Sequence, residues 1–235
     1  MPTPRLLRNA SLIFLLAFVL AYGPAQASNG STGNSGSPQT ADTFTLNPND
    51  QLEETPWSIL LYRGWTSTET LLRTLRLQYD YADEDMYSVE LAYMLRPENA
   101  VSQFFQKYLR ARFQLAGNLG YRDGIDTSIW EGDLYFIVRW QDLPWNHWVP
   151  TTFAIGEGLS YTSDIPPVEV LDAVDQDAEP RKLLNYLMFE ATVALPAHPD
   201  WQLVARIHHR SAIKGVFSDG NLGSNVVGIG IRHYF

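Results

Sequence analysis

The 235-residue chain contains no cysteine. In an exported protein that excludes a disulfide framework and a thiol nucleophile. Positive charge is scarce: 17 Lys and Arg stand against 26 Asp and Glu, for a net charge of −9. No basic stripe marks a nucleic-acid partner. No stretch approaches the roughly 20 apolar residues that a membrane helix needs. No cofactor and no metal is expected from the residue pattern.

The N-terminus reads as an export signal. Arg5 and Arg8 make a short positive region, an apolar run follows from Ala10 to about Tyr22, and Ala25-Gln26-Ala27 has the small-x-small form of a cleavage site. The apolar run, about 13 residues, is too short to cross a bilayer as a helix. Residues 1–27 are therefore assigned to a cleaved signal peptide, and losing its two arginines takes the net charge to about −11. Residues 28–52 are rich in Ser, Gly, Asn and Thr and read as a flexible segment. Residues 53–235 form one domain, long enough for about eight strands.

What the chain has in quantity is alternation, with 7 Trp, 12 Tyr and 11 Phe to mark it. From Trp130 to Trp140 one face reads Trp130, Gly132, Leu134, Phe136, Val138, Trp140. The other reads Glu131, Asp133, Tyr135, Ile137, Arg139. An apolar face with tryptophan at both ends suits a tilted membrane strand, whose ten residues at ~3.3 Å rise about 25 Å between two aromatic girdles.

Similar alternation runs over 87–95, 109–115, 182–195, 201–208 and 227–235, and more weakly over 57–65 and 148–161. The last of these strands ends on the C-terminal Phe235. Eight strands, long loops at one end and short Pro-bearing turns at the other, predict an eight-stranded antiparallel transmembrane β-barrel of the bacterial outer membrane. Leu71 to Tyr81, within the 66–82 segment, also alternates and reads as a loop hairpin or a ninth strand. The inward faces carry Glu90, Arg110, Arg112, Glu131, Asp133, Arg139, Glu190, Arg206 and Arg232. An eight-stranded barrel is narrow enough to be filled by such side chains, which predicts an internal ion-pair network and disfavours a pore.

The exceptions to the pattern point to a site. On the seventh strand the outward face continues past Ile207 to His209 and Ser211, side by side at i, i+2 spacing. If the 196–200 turn pairs Leu195 with Trp201, Leu187 faces His209, Asn185 faces Ser211, and Asn225 lies near Ser211. These residues form a polar island on an apolar wall. It is either a Ser-His site or the headgroup boundary, where polar residues are tolerated. Glu157 shares a face with Phe153, Ile155 and Leu159; the flanking Gly156 and Gly158 permit a bulge that turns it inward, and otherwise it is a candidate acid for His209.

His209-Arg210-Ser211, followed by a Gly-bearing loop and a final strand, resembles the outer-membrane lipid A 3-O-deacylases over roughly residues 57–235. These are eight-stranded barrels with a Ser-His-acid site facing the membrane. The resemblance implies Ser211 as nucleophile, His209 as base, and lipid A or a related outer-leaflet lipid as substrate. Counted back from the C-terminus, the family's catalytic Glu falls on Asn225 and its assisting Asn on Asn221. Asn225 cannot supply the negative charge of a Glu, though an Asn can orient a catalytic His. His208-His209-Arg210-Ser211 and Gly223-Ser224-Asn225 are also similar to segments of uncharacterised barrels. The departure at Asn225 makes a non-catalytic structural or binding barrel the alternative. Its external loops, including the acidic stretch from Glu169 to Glu179, would then meet the partner.

Overall fold

The computed structural model describes residues 55–195, 198–213, 217, 220 and 222–235. The expected signal peptide, the expected flexible segment 28–52 and Asn221 lie outside the described residues. Eight strands follow in order: β1 Trp57–Ser67, β2 Tyr81–Met94, β3 Arg112–Gly124, β4 Thr127–Trp140, β5 Thr151–Thr162, β6 Leu183–Leu195, β7 His198–Ser211 and β8 Gly223–Tyr234. Each pairs antiparallel with its neighbour, and β8 closes on β1, so the sheet is a closed barrel. Phe235 seals the seam: its N–H donates to the Trp57 carbonyl at 2.9 Å.

Closure carries a stagger. Direct partners run from Trp57 through Tyr93, Leu115, Phe136, Glu157, Leu187, His209 and Asn225 back to Ser67 on the same strand. The row returns ten residues from its start. For eight strands that stagger gives a tilt of roughly 40° and a climb of about 25 Å, or ~3 Å per strand crossed. Depth along the barrel can thus be read from position in this row.

The outer wall is apolar. Ile59, Leu61, Val89, Leu91, Leu115, Leu119, Leu134, Phe136, Phe153, Ile155 and Ile231 are all exposed on it. Trp57, Trp201 and Phe235 ring the end where β1 begins and β8 finishes, the terminal end; Tyr87, Trp130 and Tyr161 ring the loop end. No helix among the described residues is long and apolar enough to cross a membrane. The apolar belt between two aromatic rings is that of a barrel crossing with its strands.

The lumen is filled and charged. Near the terminal end, Glu190 takes hydrogen bonds from Arg139 at 2.7 Å, Arg206 at 2.9 Å and Arg232 at 3.0 Å. Glu90 takes them from Arg206 at 2.5 Å and Arg232 at 2.8 Å, and from the Tyr135 hydroxyl. Nearer the loops, Arg122 bridges Glu131 at 2.6 Å and Glu84 at 2.9 Å. Arg210 meets Glu169 at 2.8 Å.

The expected ion-pair network is therefore present, with changes in membership. Arg110 is not in it: it caps helix α2, Ala100–Leu109, in a left-handed conformation with φ 50°, and is exposed. Arg112 begins β3 and is half-buried near the terminal rim. The alternation over 109–115 spans a helix end and a strand start, which misplaced Arg110; Arg112 keeps the expected inward side, opposite Arg139. Arg122 and Arg210 are further members inside. Glu169, expected in an outward-facing acidic loop, lies on helix α3, Pro167–Asp175, and is buried as a plug against Arg210 and Ser224.

Two connections also differ from expectation. The 66–82 segment holds neither a hairpin nor a ninth strand but a short helix, α1, Leu71–Leu75. The loop lengths do not segregate cleanly: β3 and β4 join through a two-residue turn with Asp126 at φ 58°, while the terminal-end connection between β2 and β3 contains α2. A side chain set in the barrel can be tested directly. Glu190→Gln removes the shared anion of three buried arginines, and urea unfolding of the refolded barrel is expected to show a loss of about 3–5 kcal/mol. An unchanged midpoint would contradict a structural role for the network.

Candidate active site on the outer wall

His209 and Ser211 end β7 on its outward face. Their β6 partners are Leu187 and Asn185, as expected. Leu195 pairs with His198 rather than Trp201, because a bulge next to Ala194 takes up the difference. On the other side Asn225 stands opposite His209, and Gly223 opposite Ser211. The expected island of Asn185, His209, Ser211 and Asn225 is thus assembled, with Asn225 against the histidine directly.

The closest contact in the island is between Asn225 Oδ1 and His209 Nδ1, at 2.8 Å. The amide oxygen can only accept, so His209 Nδ1–H donates and Nε2 keeps its lone pair. The other end of the amide is also held: Asn225 Nδ2 donates to the Glu69 carbonyl at 2.7 Å. Both ends of Asn225 are therefore fixed, and with them the tautomer and plane of the imidazole.

Glu69 belongs to the β1–β2 connection, and this loop covers the site. Its N–H donates to Ser67 Oγ at 3.2 Å, and α1 lies against β7 and β8. Asn225 and Ser67 are buried beneath it, while His209 and Ser211 stay half-exposed. Nothing in the alternation signalled this cover; the one trace was Ser67, the next outward residue beyond Trp65. A carboxylate, Asp172 on α3, approaches the Gly223 amide across from Ser211; burial raises its pKa and the Gly223 N–H partly offsets the rise.

Ser211 is placed beside His209 but is not bonded to it among the described residues. Its Oγ accepts from the Ile213 N–H at 3.4 Å, a long contact. The two residues are about 7 Å apart along the strand, and side-chain rotation has to close Nε2 to within roughly 3 Å of Oγ for proton transfer. Such contacts are commonly loose before substrate binds.

Glu157 is outward-facing, and the expected bulge is absent. The ladders to β4 and β6 pass through Gly156, Glu157 and Gly158 without a shift. The glycines serve the lumen instead: a Cβ on Gly158 would lie 2.2 Å from the Leu134 carbonyl oxygen and 2.5 Å from Tyr135 Cβ. Glu157 stands fourth of eight steps along the staggered row, at mid-depth, between Phe136 and Leu187. Leu187 separates it from His209 by two strand spacings, about 9–10 Å. The structure brings Asn225, and not Glu157, to the histidine.

No family model matches the chain, and no curated protein matches it. Among solved structures it is similar to the outer membrane enzyme PagL, at 12% identity and a TM-score of 0.45, over 75% of this chain and 98% of that one. The N-terminal β-barrel domain of Pseudomonas aeruginosa OprF gives 12% identity and a TM-score of 0.44, over 77% and 98%. Neisserial surface protein A gives 11% and 0.43, over 76% and 96%.

A lone carboxylate at mid-depth on a lipid-facing wall weakens the barrel unless something else requires it. Glu157→Leu is expected to stabilise the protein by ~1–2 kcal/mol in urea unfolding from lipid vesicles. Destabilisation would show that Glu157 has a partner in the membrane.

Proposed function

We propose that the chain is an exported outer-membrane esterase that cleaves an ester-linked acyl chain from lipid A or a related outer-leaflet lipid. The observation that carries this reading is the 2.8 Å bond from His209 Nδ1 to Asn225, with Ser211 next along the same lipid-facing edge. In the staggered row His209 is six of eight steps from the terminal end, so it lies ~6 Å from the loop-end limit of the belt. That is within side-chain reach of the loop-end girdle, where headgroups meet the hydrocarbon. Leu187, Phe189 and Ile207 continue the same wall toward mid-depth and offer an apolar track for the acyl chain.

In the reaction, Ser211 Oγ attacks the ester carbonyl carbon while His209 Nε2 takes its proton. The tetrahedral intermediate collapses, and His209 returns the proton to the departing alkoxide oxygen. Water then cleaves the acyl-serine by the same route in reverse. Asn225 keeps the imidazole in the productive tautomer. As an amide it favours the imidazolium less than a carboxylate would, so turnover is slow for this class of site. Through the resemblance, Asn221 is assigned to the oxyanion.

A non-catalytic structural or binding barrel is the second reading. In its favour, Ser211 Oγ is engaged by Ile213, and an amide stands where the resemblance places an acid. Lipid A mass spectra of cells expressing the protein separate the two. Wild type is expected to yield species lacking one acyl chain. Ser211→Ala should lower the rate at least ~10³-fold with the barrel intact, and Asn225→Ala about 10²-fold through lost orientation. Spectra unchanged by wild-type expression would favour the second reading.

A further inference from the structure

His208 and His209 point to opposite faces of β7, and the inward one belongs to a separate cluster. The two charged layers of the lumen are unevenly balanced. In the terminal-end layer, Arg139, Arg206 and Arg232 face Glu90 and Glu190, and every one of these groups is hydrogen-bonded to another. In the loop-end layer only two described arginines, Arg122 and Arg210, face four carboxylates: Glu84, Glu131, Asp133 and Glu169. All six are at most 3% exposed. With His208 neutral and all four carboxylates ionised, the described residues of this layer would carry two uncompensated negative charges. Buried charge of that size calls for a counter-charge.

The deficit has a focus. Glu131 and Asp133 project inward at i, i+2 from β4, and His208 projects inward from β7. One ligand atom from each lies within 4.8 Å of the others. His208 Nε2 is 2.6 Å from Glu131 Oε1. The second Glu131 oxygen is held by Arg122 Nε at 2.6 Å, which fixes the carboxylate with Oε1 turned to the cluster.

An independent feature marks the same place. Asn118 on β3 donates Nδ2 to Asp133 Oδ2 at 2.8 Å, and its own Oδ1 is buried with no hydrogen-bond partner among the described residues. Asp133 Oδ1 is likewise buried and unpartnered. Two acceptor oxygens without donors, beside an excess of negative charge, form a site that a cation completes.

We propose that the loop-end half of the lumen binds one divalent cation of the zinc class through Glu131, Asp133 and His208, with Asn118 Oδ1 as a further ligand. One imidazole nitrogen and carboxylate oxygens suit a borderline ion such as Zn²⁺, which takes four ligands at about 2.0–2.2 Å. Ligand atoms around such an ion are roughly 3.3–3.6 Å apart, so the His208–Glu131 pair opens by about 1 Å and Asp133 closes by about 1 Å to admit it. Two positive charges cancel the deficit of the layer. The ion would tie β3, β4 and β7 together across the lumen. This runs against the sequence-based expectation of no metal, because ligands from three strands show no spacing motif.

The test is metal content of the full chain, refolded in detergent with Zn²⁺ alone or with a chelator and then freed of loose metal. Wild type should retain about one zinc per chain, and His208→Gln and Asp133→Asn, folded by circular dichroism, less than a tenth of that. Cobalt in place of zinc should give visible d–d bands in wild type, which keeps the test decisive if either variant fails to fold. Folded wild type without zinc overturns the proposal. So does zinc retained in both variants. A protonated-carboxyl infrared band lost in Asp133→Asn also overturns it, because protons would then balance the layer.

Discussion

Every other feature of this molecule depends on one constraint: the backbone must satisfy its own hydrogen bonds where no water can. A closed antiparallel sheet does so, and eight strands close here with a ten-residue stagger. The stagger sets the tilt, the tilt sets the depth of each residue, and the pleat sets which face it meets. Once those are fixed, side chains on one face must be apolar and those on the other must fill a narrow lumen.

The lumen meets that demand with charge rather than with a hydrocarbon core. Glu90 and Glu190 are each shared among arginines, and Tyr135 and Tyr186 pack at 4.4 Å between the polar layers. Such a network is stable only while complete, because removing any member leaves a buried ion alone. The same completeness requirement recruits Glu169 from a loop helix to close the lumen over Arg210. It is also what makes the imbalance around Glu131, Asp133 and His208 informative.

Much of this was legible in the sequence because period-2 alternation maps onto inside and outside. Trp130 to Trp140 gave strand, face and girdles at once, and counting from Phe235 placed Asn225 on the outward side of β8, where it is found. The pairings of Leu187 with His209 and Asn185 with Ser211 were also legible, since the β6–β7 turn is short. What was hidden depends on contacts between distant segments. The α1 loop over Asn225, the Glu169 plug and the Asn118 amide beside Asp133 come from strands and loops with no fixed sequence spacing. Gly156 and Gly158 misled for a related reason: a glycine pair signals a bulge and a cramped lumen equally well, and the Tyr135 ring that decides between them lies on the next strand.

On the outer wall, Asn225 links the covering loop to His209, and Ser211 waits one pleat further on. Whether this arrangement is a working nucleophile is settled most directly by covalent trapping. The protein in lipid vesicles would be exposed to a lipophilic fluorophosphonate and the modified residue located by peptide mass spectrometry. An adduct on Ser211 that disappears in His209→Ala is the expected result; an unmodified Ser211 in folded protein would contradict the esterase site.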